Sequence, residues 1–329
     1  MPAIAFPDHP YTPQLGWSST RSETFRSCRR RYFFQYYARY DSELPLARIQ
    51  RLKGLSSIPM LVGGAVHDVV ASLLRRLLRS AAPIDRERFE RHVRQTLEAA
   101  LAGTELMEVH YGQRLAPQGD ELLSPAMACL ERLLTSERYS WLVEVLQTDP
   151  RYLIEPPGYG EARLQGMKVY AKVDCLIEVG AEVVILDWKT GRQEPAKHLR
   201  QLLGYAAWAE DQLKVEAARI RCLAAYLQNS YAEIEKRPTA ADLQGLAREV
   251  AVEIQQMRGL LRDAERNIPL GKDAFPLTEN LGSCRHCQFR ELCDRIEGGS
   301  GVGGSGGVGG ADRPEHGSAE GVLTPTFAC

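Results

Sequence analysis

Residues 168–191, KVYAKVDCLIEVGAEVVILDWKTG, decide the fold. Two runs rich in Val, Ile, Leu and Tyr flank Gly180 and Ala181, which predicts a hairpin turning at those two residues. Asp174 and Asp187 are nearly equidistant from that turn, so the pairing sets their carboxylates side by side. Opposed like charges repel unless a cation neutralises them. Oxygen ligands with open positions suit Mg²⁺ or Mn²⁺. Lys189, two residues after Asp187, shares its face of the sheet and is suited to steer a water or stabilise charge on a phosphate. A D-x-K tripeptide is also common as a plain surface pair, so its meaning depends on its neighbours.

Working outward, 151–155, 161–166, 168–179 and 182–188 read as an antiparallel meander punctuated by Gly158, Gly160, Gly166 and Gly180. A helix at 195–212, a strand at 219–227 and a long helix at 239–267 follow. Upstream the texture is helical. Phe25, Cys28, Tyr32 and Tyr36 recur at helical spacing after Ser18–Thr20, and Thr20 with Glu23 reads as a capping box. Further helices are predicted at 61–80, 86–102 and 121–147. The class is therefore mixed α/β, a helical N-terminal half around a small central sheet. Gln201 and Tyr205, four apart, share one helix face. Gly63-Gly64-Ala65-Val66-His67 sets one imidazole in an apolar helix, where a histidine is more often a core residue than a ligand.

The chain of 329 residues carries 41 Lys and Arg against 42 Asp and Glu, which excludes a uniformly basic coat. Nucleic-acid binding would need a local patch. Residues 21–53 supply one, with eight Arg and one Lys against Glu23, Asp41 and Glu43. Arg29, Arg30 and Arg31 there are candidates for phosphate contact, whereas Phe25, Tyr32 and Tyr36 read as core. No secretory signal or membrane span is expected, and the chain reads as cytoplasmic. There cysteines serve metals more often than disulfides. Of eight cysteines, Cys129, Cys175 and Cys222 read as small buried hydrophobes and Cys329 as incidental. Cys284, Cys287 and Cys293 form C-x2-C-x5-C, one ligand short of a complete site, and Cys28 is the natural fourth. Zinc, completed by His286 or Cys28, and a [4Fe-4S] cluster both fit that spacing. The glycine-rich run at 298–311 predicts a disordered tail over 298–329, either a tether or dispensable. No G-x-x-x-x-G-K-[ST] occurs, so ATP-driven unwinding would belong to a partner.

Taken in order, these motifs resemble the PD-(D/E)XK nuclease superfamily, in particular its RecB-like branch with an iron–sulfur cluster, which includes the AddB nuclease domain and the CRISPR-adaptation nucleases. Gly63 to His67 resembles G-x-x-x-H, Asp174 the motif aspartate, Asp187-Trp188-Lys189 the D/E-x-K, and Gln201 to Tyr205 the Q-x-x-x-Y. Cys28, Cys284, Cys287 and Cys293 resemble the cluster ligands. Arg29 stands where family members often have Pro, and Ala171 where they often have Gly. The resemblance implies a restriction-endonuclease-like core with a C-terminal Fe–S staple, spanning 18–297 between an N-terminal extension (1–17) and the tail. It implies phosphodiester hydrolysis on DNA, as an exonuclease on single strands or duplex ends. His67, Asp174, Asp187 and the Trp188 carbonyl would hold Mg²⁺ or Mn²⁺, Lys189 would act on the water, and Gln201 and Tyr205 would support it. Glu155 and Glu161 are further acids near the site. Helicases and CRISPR-adaptation or defence proteins are the implied partners. The alternative is a non-catalytic DNA-binding subunit stapled by a cluster or zinc.

Overall fold

The computed structural model describes residues 12–156 and 160–293; the tail expected at 298–329 lies outside them. Eight helices precede the sheet: α1 (Ser19–Ser27), α2 (Arg29–Tyr37), α3 (Leu46–Gly54), α4 (Ile58–Leu77), α5 (Arg86–Ala102), α6 (Met107–His110), α7 (Gly119–Leu134) and α8 (Glu137–Leu146). The expected first helix is two. Cys28 is extended, and its sulfur accepts from the Arg31 N–H, ending α1 and capping α2. Ser18, not Thr20, caps α1 through its hydroxyl. The expected helix at 121–147 also breaks in two, because Ser136 accepts from the Tyr139 N–H and starts α8.

The central sheet contains β1 (Tyr152–Ile154), β4 (Cys175–Val179), β5 (Glu182–Lys189), β6 (Ile220–Tyr226) and β7 (Ala232–Lys236), in the order β1-β4-β5-β6-β7. β2 (Gly160–Leu164) and β3 (Met167–Ala171) form a separate hairpin, so the expected meander divides at 172–174. β5 and β6 run parallel, joined by α9 (Pro195–Leu213), while the other pairs in the sheet are antiparallel. A helical crossover is what a parallel pair requires, and the sheet is thus mixed, as the sequence suggests. β7 was not foreseen: AEIEK carries three charges and lies half-exposed at the sheet edge, without the apolar texture that marks the inner strands. The helix expected at 239–267 ends at Arg258 (α10, Ala240–Arg258) and gives way to a small hairpin, β8 (Leu261–Asp263) and β9 (Ile268–Pro269).

Period-two alternation sorts the strands' side chains into two cores. Leu176, Val183, Ile185, Cys222 and Ala224 face one core with residues of α1, α2, α9 and α10. Cys175, Ile177, Val184, Leu186, Trp188 and Leu223 face the other with α4, α5, α7 and α8. The packed chain includes Leu15 and Trp17, both buried, with Trp17 bridged to Val169. Cys129, Cys175 and Cys222 are buried among apolar neighbours. Among the described residues α4 alone has the length and composition to cross a membrane, yet Val66, Val69, Val70, Leu74 and Leu77 are fully packed in the second core.

Candidate metal centre

The hairpin register makes the site. Cys175 pairs with Leu186, and Gly180 at φ +58° turns the chain between β4 and β5. One step further, Asp174 stands opposite Asp187 at the end of the ladder. Alternation sends Asp187 and Lys189 towards α9, and Trp188 and Thr190 towards α4. The pair therefore sits at the ends of two central strands, between the two helical layers, buried but reachable from the strand ends.

On the α9 side the polar groups close a ring. Lys189 Nζ lies 2.6 Å from Asp187 Oδ2 and donates to Gln201 Oε1 at 2.7 Å. Gln201 Nε2 donates to the Tyr205 hydroxyl at 2.7 Å, and that hydroxyl donates to Asp187 Oδ1 at 2.8 Å. Helical spacing of Gln201 and Tyr205 is what lets one face of α9 touch both the lysine and the acid. On the α4 side, His67 Nε2 lies 3.0 Å from the Trp188 carbonyl. His67 Nδ1 is 3.4 Å from both Glu155 Oε1 and Asp174 Oδ1. The Trp188 N–H donates to Asp174 Oδ2 at 2.8 Å. Gly63 allows this approach, since a Cβ there would stand 2.7 Å from Thr190 Oγ1.

Charge is unevenly shared. Burial raises the pKa of Asp187, Asp174 raises it further, and Lys189 and Tyr205 only partly offset this, so it stays above the ordinary carboxyl value. Burial acts the same way on Asp174, but His67, the Trp188 N–H and Lys189 bring it below. Burial would lower His67; Asp174 and Glu155 outweigh it and hold the imidazole well above the usual histidine value. Burial and the neighbouring Asp187 push the Tyr205 phenol far up, so it remains a donor. Donor atoms of His67, Glu155 and Asp174 lie within 4.8 Å of one another, and Asp187 Oδ2 is buried without a well-aligned hydrogen bond. Such a donor set fits a divalent cation.

Glu155, read from the sequence as a further acid, is a full member of this group. Its backbone is left-handed, at φ +39°, a conformation that costs energy in a glutamate. Its N–H donates to the Asp174 carbonyl at 2.9 Å, and Arg75 donates to the Ile154 carbonyl at 3.0 Å, which hold the turn. Glu161 instead pairs with Arg163 at 2.6 Å and Lys168 at 3.2 Å on the β2–β3 hairpin. His198 and Tyr226 were not singled out in the sequence. Tyr226 is the register partner of Lys189, and its hydroxyl lies 2.8 Å from His198 Nδ1, one turn before Gln201. Their signal, H-x-x-Q-x-x-x-Y on one helix face, is legible only once α9 is known to cover β5.

The other candidates lie elsewhere. Arg29 stacks on the Phe25 ring at 3.2 Å and donates to the Phe25 carbonyl. Arg30 donates to the Phe275 carbonyl at 3.0 Å and reaches Asp273 at 3.4 Å. Arg31 joins Cys28, Cys284, Cys287 and Cys293 in lining one cavity. The four sulfurs border the same space without drawing together as the His67 group does, for no three of them come within 4.8 Å.

No curated protein matches the chain. A solved structure titled "Crystal structure of SSO0001" aligns with 17% identity over 57% of this chain and 78% of that one; its TM-score of 0.29 is too low to build on. The sequence profile of the PD-(D/E)XK nuclease superfamily matches residues 16–294, nearly all of the described chain. With two acids and a lysine at the end of a covered hairpin and a histidine closing the other side, this chain belongs to the PD-(D/E)XK nuclease superfamily.

Proposed function

We propose that this protein is a metal-dependent DNA nuclease that hydrolyses phosphodiester bonds at the C-terminal end of β5, acting as an exonuclease on single strands or duplex ends. One observation carries the reading: Asp174 and Asp187 are opposed in one buried pocket, with Lys189 Nζ 2.6 Å from Asp187. Asp174, Asp187, His67, Glu155 and the Trp188 carbonyl would hold Mg²⁺ or Mn²⁺. When bound, that ion supplies an activated water and polarises the phosphate. Lys189 holds the attacking water or the charge developing on the phosphoryl oxygens through its ammonium group. Gln201 fixes the lysine, and Tyr205 fixes both Gln201 and Asp187.

The same reading places the chain in the RecB-like branch, with Cys28, Cys284, Cys287 and Cys293 holding a [4Fe-4S] cluster. Its support is the one cavity that the four cysteines line. Phosphate contact by Arg31, at that cavity, remains part of the proposal; Arg29 and Arg30 are already engaged within the protein.

A time course on 5′- and 3′-labelled single- and double-stranded DNA with Mg²⁺ or Mn²⁺ tests the activity. Lys189→Ala is expected to cut at least about 100-fold more slowly. Equal cleavage by that variant would overturn the mechanism.

A further inference from the structure

The metal pocket is lined by carboxylates, so a polyanionic strand needs positive charge to approach it. α4 supplies it along one exposed edge. Gly64, Asp68, Ser72 and Arg75 are exposed and recur at helical spacing, while Val69, Val70, Leu73, Leu74 and Leu77 face the core, and Arg79 is exposed in the turn that follows the helix. The edge begins beside His67, where Asp68 faces Glu155, Lys172 and Arg75. Lys172, in the link between β3 and β4, lies 3.5 Å from Glu155 Oε2. Arg75 spans the Ile154 and Glu155 carbonyls at 3.0 and 3.4 Å. Arg76, on the adjacent face, is held by the Ala82 and Pro83 carbonyls at 2.6 and 3.2 Å. Arg79 is exposed, and its side chain has no hydrogen-bond or ion-pair partner among the described residues.

We infer that Lys172, Arg75 and Arg79 form a phosphate track that carries one nucleic-acid strand away from the metal centre along α4. Lys172 and Arg75 both lie by Asp68, and Arg79 follows Arg75 in the chain. Arg75 is about 12 Å beyond His67 along α4, and Arg79 stands just past the end of the helix. A strip of cations leading from the site would track one backbone, and a single strand of DNA is the ligand proposed for it. The inference rests on the nuclease reading for its purpose, but not for its measurement.

The test is binding of a fluorescent 15-nucleotide single-stranded DNA, followed by anisotropy in Ca²⁺ between about 50 and 200 mM KCl. Arg79→Glu should weaken binding by roughly 5- to 10-fold at low salt, and the log–log salt slope should become shallower by about 0.7 per lost phosphate contact. Arg75→Gln should act in the same direction. Arg266→Glu, an exposed charge on the β8–β9 turn, serves as the control and should change neither quantity. An unchanged slope and affinity in Arg79→Glu, with the fold intact by circular dichroism, would overturn the track. So would tighter binding of a blunt duplex of the same length. A wild-type protein that binds through these residues but never cuts would defeat the nuclease reading and leave the track standing; one that cuts, with binding indifferent to Arg79 and Arg75, would do the reverse.

Discussion

Lys189 and Tyr205 both touch Asp187, yet their removal should have different consequences. The lysine brings a full charge to Oδ2, whereas the tyrosine brings one neutral hydrogen bond to Oδ1 at 2.8 Å. Tyr205→Phe keeps the buried ring and loses a bond of about 0.5–1.5 kcal/mol. We expect a kcat reduced roughly 3- to 10-fold with little change in Tm, far short of the loss for Lys189→Ala. Equal losses for the two, measured side by side under steady-state conditions, would show that the hydroxyl does more than position. His198 makes a prediction of another kind. Burial, then the charges of Lys189 and Lys197, lower its pKa to about 4. The unfolded chain takes up a proton below about 6.5 that the folded chain refuses down to about 4. Stability from this residue is therefore complete above about pH 6.5 and lost as pH falls towards 4, by about 2 kcal/mol near pH 4.5. Urea denaturation at pH 7 and pH 4.5 should show that loss, and His198→Gln should reduce it by most of that amount; an identical pH dependence in the variant would remove His198 as its source.

At the scale of elements, the site depends on how closely α4 approaches the end of β5. Two adjacent glycines report on this differently. A Cβ at Gly64 meets nothing within 4 Å, so Gly64→Ala should stabilise the helix by up to about 1 kcal/mol through propensity alone. A Cβ at Gly63 meets Thr190 Oγ1 at 2.7 Å but the Thr190 Cβ only at 3.8 Å. Gly63→Ala should therefore cost about 1–3 kcal/mol and displace His67 from the Trp188 carbonyl. Adding Thr190→Ala should recover most of the loss, a coupling that thermal melts of the four proteins in a double-mutant cycle would measure. Additive effects would mean that the two elements do not meet there. This contact also shows why the sequence was legible where it was. The Gly180–Ala181 turn and the alternation around it fix register locally, and the opposition of Asp174 and Asp187 follows by counting. α9 and β6 likewise carry long, unambiguous patterns. The helix breaks at Cys28 and Ser136 depend on one side chain accepting a backbone N–H within an otherwise continuous helical texture. The role of Glu155 depends on a left-handed turn that no composition announces. The division of 168–179 into β3 and β4 arises because its first half pairs with β2 and its second with β1 and β5, a choice between partners rather than a local preference.

Across the whole molecule, the first helices and the last described residues meet, and besides ion pairs such as Arg48–Glu291 two ties can be compared there, one observed and one proposed. One is aromatic: Phe275 packs against Tyr32, Phe33 and Tyr37, and Phe289 against Phe34 at 5.5 Å. Phe275 and Phe289 are fully buried, so each should contribute about 3–5 kcal/mol relative to alanine. The other is the proposed cluster, which would tie Cys28 to Cys293 and close a loop spanning most of the chain. Loop closure of that length is stabilising, but its cost rises only slowly with length. We expect the aromatic contacts to keep the ends together without the cluster. Cys287→Ala should lose absorbance near 400 nm and melt several degrees lower, yet keep its secondary structure and the Asp174–Asp187–Lys189 site. Phe289→Ala should be the more damaging change, lowering Tm further and weakening cluster retention as well. Iron and sulfide analysis beside the melts separates the cases. A colourless, zinc-loaded wild type would discard the cluster, and a Cys287→Ala protein that is unfolded at 25 °C would show that the metal, not the aromatic contacts, joins the two ends.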